Sequence, residues 1–470
     1  MIEGDGAKVA HNDRPIESLD RDELIELVKQ VLRENQELRR QLEEARRAAK
    51  RQAAPFSKGS PKTSPKTPGR KAGADYGVKA HRPPLSEVDE HFEAPLPPRC
   101  PDCSGALEEI DTALQDQIDV PRKPIRRRFT VHIGRCVDCG RRVQGRHPLQ
   151  TSDALGAAAS QLGPDAKALI ATMNKDLGAS YGKIHGFFEK VFEISITRGG
   201  AAQTVLRTAE RAEPIYRTIL LIVRRSRRVT PDETGWKVGG ILQWLWTFVA
   251  RTVTAYRIRP SRGFDVAEEV LGTFYSGVLI HDGWAPYEKF TEAEHQQCLA
   301  HLLRRCQEML STATRGAVRF PRELKALLLS GLMLRDRRDA GEMSPRGMAV
   351  AIGRLEARLD RLLSGSFQND ENFRLAKHVA NHQLDIFTFL RHPGVDATNW
   401  RGEQAIRPAV VNRKVWGGNR TLAGAHAQEI LTSILRTLAQ RGADAIEFFN
   451  HVLRTPADRP LPALPAFVGH

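Results

Sequence analysis

Between residues 229 and 284 the chain changes from helical spacing to a fixed succession of strand and helix patterns. Branched and aromatic residues dominate three runs that end at Gly, Pro or Arg: VTPDETGWKV, ILQWLWTFVA and VTAYRIRP. These runs predict three antiparallel strands, after which FDVAEEVLG predicts a helix and GVLIHDGW predicts a buried strand. The region therefore predicts an α/β domain.

Asp232 and Asp282 each come at or just past the end of a predicted strand. When three antiparallel strands and a helix precede a parallel strand, the first and fourth strands lie side by side, which is the ribonuclease H-like arrangement. The two aspartates would then be neighbours. With a third acid from a nearby helix they could hold two Mg²⁺ or Mn²⁺ ions, about 4 Å apart, for phosphodiester transfer. The alternative is that both only cap turns, because Asp favours strand ends.

Four of the six cysteines form two C-x-x-C pairs, each followed by Gly or Ser-Gly. Tight turns of this kind aim two thiolates at one metal, so they predict a structural Zn²⁺ site in a module spanning residues 99–148. The predicted ligands are Cys100, Cys103, Cys136 and Cys139. The long spacing between the pairs predicts an inserted hairpin or ribbon. Redox chemistry is the alternative, and the low cysteine content indicates a reducing compartment.

The chain is strongly basic, with 71 Lys and Arg against 56 Asp and Glu and a net charge of +15. This balance favours a nucleic acid partner over a membrane. The basic run before the alternating stretch FTVHIGR could lie along phosphates, although a solvated charge run explains it equally well. Its candidate DNA-binding residues are Arg126, Arg127 and Arg128. No apolar run spans a membrane and no secretory signal is apparent, so we expect a cytoplasmic protein with no membrane partner.

The N-terminal residues 15–52 carry seam positions that alternate steps of four and three, the a/d pattern of a coiled coil. The seam positions are Leu24, Val28, Val31, Asn35, Leu38, Leu42 and Ala45. Because a buried Asn35 would pair across a parallel dimer, we expect a homodimer through this zipper. A single amphipathic helix is the alternative. Residues 53–98 are rich in Pro, Lys, Ser and Gly and predict a disordered basic linker.

The remaining boundaries follow from apolar spacing. Residues 149–228 predict a helical DNA-binding region in which two helices could form a helix-turn-helix. The catalytic domain would span residues 229–455, with a helical insertion at about 291–395 because so long a segment is not a loop. A loose Pro-rich tail would follow at residues 456–470.

The predicted insertion begins with a cluster of potential metal ligands: His295, Cys298, His301 and Cys306. A second metal site is one interpretation. Core packing is the favoured one, because Cys298 and His301 would lie on one face of an amphipathic helix, where neither needs an ion. Arg304 and Arg305 are candidate DNA contacts on the same helix.

Several motifs together resemble the insertion sequence 66 family of DDE transposases over nearly the whole chain. They are CPDC with CVDC, DETGW around Asp232, HDGWAPY around Asp282, CLAHLLRR at 298–305 and NWRGEQAIRPAVVNRK at 399–414. The resemblance implies that Glu403 is the third catalytic and metal-binding acid, on a short helix that Pro408 should end. The chain departs from the family at Trp400, where a second Asn is usual, and at Gln404, where an Arg is usual.

The resemblance implies a bacterial transposase, associated with the nucleoid when bound, that cuts and joins DNA at terminal inverted repeats with two Mg²⁺ or Mn²⁺ ions. Accessory proteins of the same element are also implied. Basic residues near Glu403 would neutralise phosphates: Arg407, Arg413 and Lys414. A zinc-dependent DNA-binding regulator without catalysis and a nuclease that cuts without joining are the alternatives. Glu429 is a rival third acid, ranked lower because it lies among core positions of a helix.

Overall fold

The computed structural model describes most of the chain after residue 86. The described residues are 20–22, 25, 28–38, 87–115, 117–118, 120, 123–156, 161–312 and 317–467. The chain divides into two compact units, residues 1–118 and 119–470. In these described ranges, none of the helices combines the length and the apolar character needed to cross a membrane.

In the first unit, residues 28–38 are helical. The zipper positions Val28, Val31 and Leu38 in this helix are more than half exposed. Further positions of the predicted zipper lie outside the described residues, namely Leu24, Leu42 and Ala45, as do residues 53–86 of the predicted linker. The coiled coil and the homodimer therefore stay predictions.

The second unit mixes strands and helices. Its strands are β1 (Ile133–Arg135), β2 (Arg142–Gln144), β3 (Arg228–Val238), β4 (Ile241–Val249), β5 (Thr254–Arg259), β6 (Val278–His281) and β7 (Glu294–Gln297). Its helices are α1 (Pro164–Lys175), α2 (Tyr181–Phe192), α3 (Arg198–Arg224), α4 (Phe264–Leu271), α5 (Leu299–Thr312), α6 (Arg319–Asp339), α7 (Pro345–Leu363), α8 (Asp370–Asn381), α9 (Thr388–Arg391), α10 (Trp400–Trp416), α11 (Leu422–Gln440) and α12 (Ala445–Arg454).

Strands β3 to β7 form one sheet in the order β5-β4-β3-β6-β7. The first three are antiparallel, β6 runs parallel to β3, and β7 runs parallel to β6. The prediction that the first and fourth strands of this region are neighbours is confirmed. β7 departs from the prediction, because it lies where a helical insertion should begin. Its polar run EHQQ lacks the branched residues that mark a strand.

Side chains alternate between the two faces of the sheet, so each face has its own core. Trp246 and Phe248 of β4 join the core covered by α1, α3, α11 and α12, whereas Leu245 joins the core covered by α10. A third core holds the insertion helices together with Val278 and Ile280 of β6. Since α1 to α3 share the first core with the sheet, they pack as one body with it. The helix-turn-helix interpretation of α2 and α3 stays a prediction.

The sequence predicts that the helix of Glu403 ends at Pro408. In the structure this helix, α10, continues through Pro408 to Trp416. A proline inside a helix removes one backbone N–H and costs about 3 kcal/mol. Burial of Ile406 and Ala409 against the sheet offsets this cost. The helix ends instead at Gly417, whose φ of +79° is the left-handed conformation that glycine adopts without strain.

The C-terminal segment contacts other parts of the second unit. Leu461 and Leu464 lie against the first core. Arg211 of α3 donates to the Pro456 carbonyl at 3.0 Å. Leucines between the prolines thus reach apolar surface, whereas residues 456–460 are exposed, and the loose tail stays a prediction.

Candidate active site

Asp232 lies in the interior of β3, not at its end as predicted. β6 pairs with β3 only at Arg228 and Val229, so Asp232 lies beyond the part of β3 that β6 covers. A Cβ on Gly402 would lie only 2.9 Å from the Cβ of Asp232. The lack of a side chain at residue 402 therefore lets the helix that carries Glu403 approach the aspartate directly.

Asp282 directly follows β6, as predicted. The parallel register pairs Arg228 with Val278, and the same register continued along both strands sets Asp232 beside Asp282. The backbone N–H of Trp284 donates to the Oδ1 of Asp282 at 3.0 Å. This bond orients the carboxylate at the turn after β6.

Glu403 lies in the first turn of α10, where its N–H donates to the Asn399 carbonyl at 3.1 Å. Its side chain is about half exposed, and its Oε1 lies 3.7 Å from the Nε2 of His301. Because the neighbouring Gly402 contacts Asp232, the first turn of α10 brings Glu403 to the aspartates.

The three carboxylates act on one another electrostatically. Burial raises the pKa of Asp232 to about 7, and the negative charges of Glu233, Asp282 and Glu403 add to the increase. Among the described residues, no three His, Cys, Asp or Glu side chains are close enough as they stand to hold one ion. A half-buried carboxylate whose neighbours are other acids is nevertheless the kind of oxygen donor that Mg²⁺ and Mn²⁺ satisfy. By their donor chemistry, the residues present fit such a cation.

Glu233 is a further member of the site that the spacing of the sequence does not single out. Its side chain is 3% exposed and accepts hydrogen bonds from Arg262 and from the Tyr287 hydroxyl, each at 2.8 Å. Burial raises the pKa of Glu233, while these two donors lower it. The sequence signal that could have found Glu233 lies in the motifs, because Glu233 belongs to DETGW and its partner Tyr287 belongs to HDGWAPY.

Arg262 connects this buried carboxylate to two tryptophans. Its guanidinium lies 4.8 Å from the ring centre of Trp244 and 4.0 Å from that of Trp284. The indole N–H of Trp284 donates to the Arg262 carbonyl at 3.3 Å. Cation–π contacts of this kind stabilise a partly desolvated guanidinium. The network therefore ties the turn after Asp282 to β4.

Two histidines form a buried hydrogen-bond chain next to Asp282. The Gly283 N–H donates to the Nδ1 of His281 at 3.1 Å, so the Nε2 of His281 carries the proton that it donates to the Nδ1 of His295 at 3.0 Å. The Nε2 of His295 then donates to the Phe290 carbonyl at 3.1 Å. Burial lowers the pKa of His281 to about 3. Each ring accepts once and donates once, which is the pattern of neutral imidazole in a packed core.

Cys298 also has the surroundings of a core residue. It is 1% exposed and directly precedes α5, and its Sγ accepts the Asn399 N–H at 3.3 Å. Burial raises the pKa of its thiol, whereas a metal ligand needs the thiolate. His301, in the first turn of α5, lies against Glu403 instead. These contacts favour core packing over a second metal site.

The two C-x-x-C pairs form matching tight turns. In the first unit, the Ser104 N–H donates to the Cys100 carbonyl at 2.8 Å; in the second, the Gly140 N–H donates to the Cys136 carbonyl at 3.0 Å. Hydrogen bonds from backbone N–H groups lower the pKa of the first thiol in each turn, which favours the thiolate. β1 and β2 flank the second turn, so in the part of this region that the structure describes the hairpin encloses the second pair, whereas the prediction set it between the pairs. Zinc binding stays a prediction.

The predicted DNA contacts differ in how available they are. Exposed positions are Arg126, Arg127, Arg128, Arg304, Arg407 and Lys414. Arg305 is half-buried. Arg413 is also half-buried and donates to the Thr234 hydroxyl at 3.0 Å, so it ties α10 to β3. Contact with a phosphate would compete with that bond.

Glu429, the rival third acid, has a fully structural environment. Its carboxylate is 3% exposed and accepts hydrogen bonds from the Ile258 N–H at 2.8 Å, from Arg257 at 3.1 Å and from Arg259 at 2.8 Å. A buried carboxylate with this many donors is already neutralised inside the fold. Glu403 therefore remains the stronger candidate.

One known protein family matches the larger part of the chain. The model of the Transposase IS66 family matches residues 159–427, a range that includes Asp232, Asp282 and Glu403. No curated protein matches the chain. The matched range begins before α1, ends within α11 and exceeds half of the sequence. The resemblance is thus confirmed over this range, which leaves out the two cysteine motifs, and the chain belongs to the IS66 family of transposases.

Proposed function

We propose that this chain cuts DNA at the ends of its own insertion sequence and joins the freed 3′ ends to target DNA. The observation that carries the proposal is that three acids meet: the strand register sets Asp282 beside Asp232, and the close contact of Gly402 with Asp232 brings the helix of Glu403 to both. The strand order, in which β6 lies beside β3, is the one expected of a ribonuclease H-like DDE domain.

The catalytic roles follow from the donor set. Asp232, Asp282 and Glu403 would hold two Mg²⁺ or Mn²⁺ ions, which supply the charge that activates the attacking oxygen and stabilises the leaving oxygen. The chain itself supplies the positions of the acids. Glu233 and Arg262 hold β3 and the turn after β6 through buried hydrogen bonds, so the carboxylates are held before DNA arrives.

Positive charge around the acids supports DNA as the substrate. Arg407 is exposed one turn after Glu403 on α10, and Lys414 continues the same helix. Arg304 is exposed on α5, the helix whose His301 lies against Glu403. Such cations hold phosphates without reading sequence. We extend the proposal to a zinc-bearing cysteine module, an N-terminal homodimer and accessory proteins of the same element.

The test is cleavage and strand transfer on labelled DNA that carries the element's own ends, with Mg²⁺ or Mn²⁺. We expect Asp282→Asn and Glu403→Gln to lower both rates about a hundredfold or more. Glu292→Gln, which changes an exposed glutamate before β7, should react like the wild type. Cutting without joined products would point to a nuclease instead. Tight binding without any cutting, with accessory proteins present, would point to a DNA-binding regulator.

A further inference from the structure

Trp400 begins α10, one turn before Glu403, and is 40% exposed. Trp416, at the other end of the helix, packs edge-on against Trp236 with ring centres 5.7 Å apart. The second tryptophan therefore has a core role, whereas the first presents much of its indole to the surface. Exposed tryptophans are enriched at interfaces, where they contribute a large share of binding.

The exposed positions of α10 form one stripe along the helix, because they are three or four residues apart. The stripe consists of Trp400, Arg401, Glu403, Gln404, Arg407, Val411, Lys414 and Val415. Glu403 is the only acid in α10, so the stripe is otherwise neutral or basic. Trp400 and Arg407 lie about one turn to either side of Glu403. Whatever meets Glu403 must also meet an aromatic ring and a cation.

Arg401 packs against the indole of Trp400. Its guanidinium lies 4.7 Å from the ring centre of Trp400. The same guanidinium is held by Asp396, with Nε 2.6 Å from the carboxylate. One face of the indole thus rests on a fixed cation while two-fifths of the residue stays exposed. Nucleic acid bases stack on aromatic rings, and a cation near the ring adds to the attraction.

We propose that Trp400 stacks on a base that leaves the duplex beside the phosphate cut at the transposon end. The inference rests on the proposed function for the identity of the DNA. Taking a base out of the duplex costs a few kcal/mol, and stacking of that base on an exposed indole offsets about 1–3 kcal/mol of the cost. Trp400 would bind that base one helical turn from Glu403. The ligand is therefore an unpaired nucleotide in otherwise double-stranded DNA.

The test combines two DNA substrates with three variants of the full chain. On paired ends, Trp400→Ala should cleave about tenfold more slowly than the wild type, and Trp400→Phe should recover most of the rate because it keeps a ring. The key readout is rescue: a mismatch next to the cut has already lost its pairing, so it should bring Trp400→Ala close to the wild-type rate. Phe274→Ala, an exposed aromatic before β6 at the end opposite Asp282, should match the wild type on both substrates.

Binding gives a readout that does not need cleavage. With 2-aminopurine beside the cut and Ca²⁺ in place of Mg²⁺, the wild type should change the fluorescence of the probe and Trp400→Ala should not. Equal fluorescence changes, or a cleavage defect that no mismatch near the cut relieves, would overturn the role of Trp400 while leaving the proposed function intact. A fluorescence change that depends on Trp400, without cutting by any protein, would overturn the proposed catalysis alone.

Discussion

The Nε2 of His301 lies 3.7 Å from the Oε1 of Glu403, so the first turn of α5 touches the proposed third acid. Both side chains are partly exposed, at 36% and 47%, and such pairs are worth about 1 kcal/mol or less. We predict that His301→Ala lowers single-turnover cleavage about fivefold, because Glu403 loses a neighbour that limits its orientation.

The control for His301 is another histidine–glutamate pair. His392→Ala removes the partner of Glu294, and the two side chains lie 2.7 Å apart. Glu294 begins β7, whereas α5 with His301 follows the other end of that strand. This variant should cleave at the wild-type rate. Equal rates for His301→Ala and His392→Ala would show that His301 does not position Glu403.

The contact between Gly402 and Asp232 predicts that even one added carbon is harmful. Gly402→Ala would place a Cβ 2.9 Å from the Asp232 Cβ, so α10 must shift from β3. We expect a loss of about 1–3 kcal/mol in the free energy of unfolding, with a larger loss of cleavage. Gly353→Ala in α7 meets open space and should raise stability by about 0.5–1 kcal/mol. Urea unfolding of both variants tests the prediction, which fails if they change stability alike.

The raised pKa of Asp232 predicts that, without metal, the stability of the fold depends on pH. Because its pKa is about 7 in the fold and near 3.8 otherwise, the folded state holds the proton longer, and stability falls as pH rises from about 4 to 7. In chelator, the difference by which Asp232→Asn melts higher than the wild type should therefore grow as pH rises from about 4 to 7 and stay constant above that. Mn²⁺ at pH 8 should raise the melting temperature of the wild type but not of the variant. Parallel melting curves at every pH would contradict the prediction.

Lys175 predicts a second pH effect, of opposite sign. Burial lowers its pKa to about 7 from 10.5, while its Nζ donates to Gln428 at 2.8 Å and lies 5.4 Å from the Trp416 ring centre. The unfolded state holds this proton up to higher pH, so the wild type gains stability from about pH 7 to 10.5. Lys175→Met should lack the gain, a difference of at most a few kcal/mol. Urea unfolding at pH 7 and 9.5 measures it, and Lys190→Met, at an exposed lysine, is the control.

The two cysteine turns predict zinc in the purified protein. The first thiol of each turn has a lowered pKa, which favours the thiolate that zinc binds. We predict one Zn²⁺ per chain by elemental analysis, and its loss in both Cys100→Ser and Cys136→Ser. Cys306→Ser, at a buried cysteine of α5, should keep the metal. Full zinc content in either turn variant would contradict a shared site.

The order of the central strands could be predicted from the sequence because its signals are local. Alternating branched residues, turn residues and the helix FDVAEEVLG lie within one continuous stretch, and the connection rules then set the strand of Asp282 beside the strand of Asp232. Motifs also singled out both aspartates and Glu403. Both the strand order and the three acids could be predicted because residues close together in the chain form the patterns and the family motifs that indicate them.

Other features were decided only by tertiary structure, because they depend on residues far apart in the chain. α10 continues through Pro408 because its buried face packs on the sheet, a gain that local propensity cannot register. β7 forms from the polar run EHQQ because β6 offers it a partner. Glu233 joins the candidate site through its hydrogen bond with Tyr287. Gly402, next to Glu403, contacts Asp232 although more than a hundred residues separate the two in the chain. Contacts across such separations follow from packing, and no local pattern encodes them.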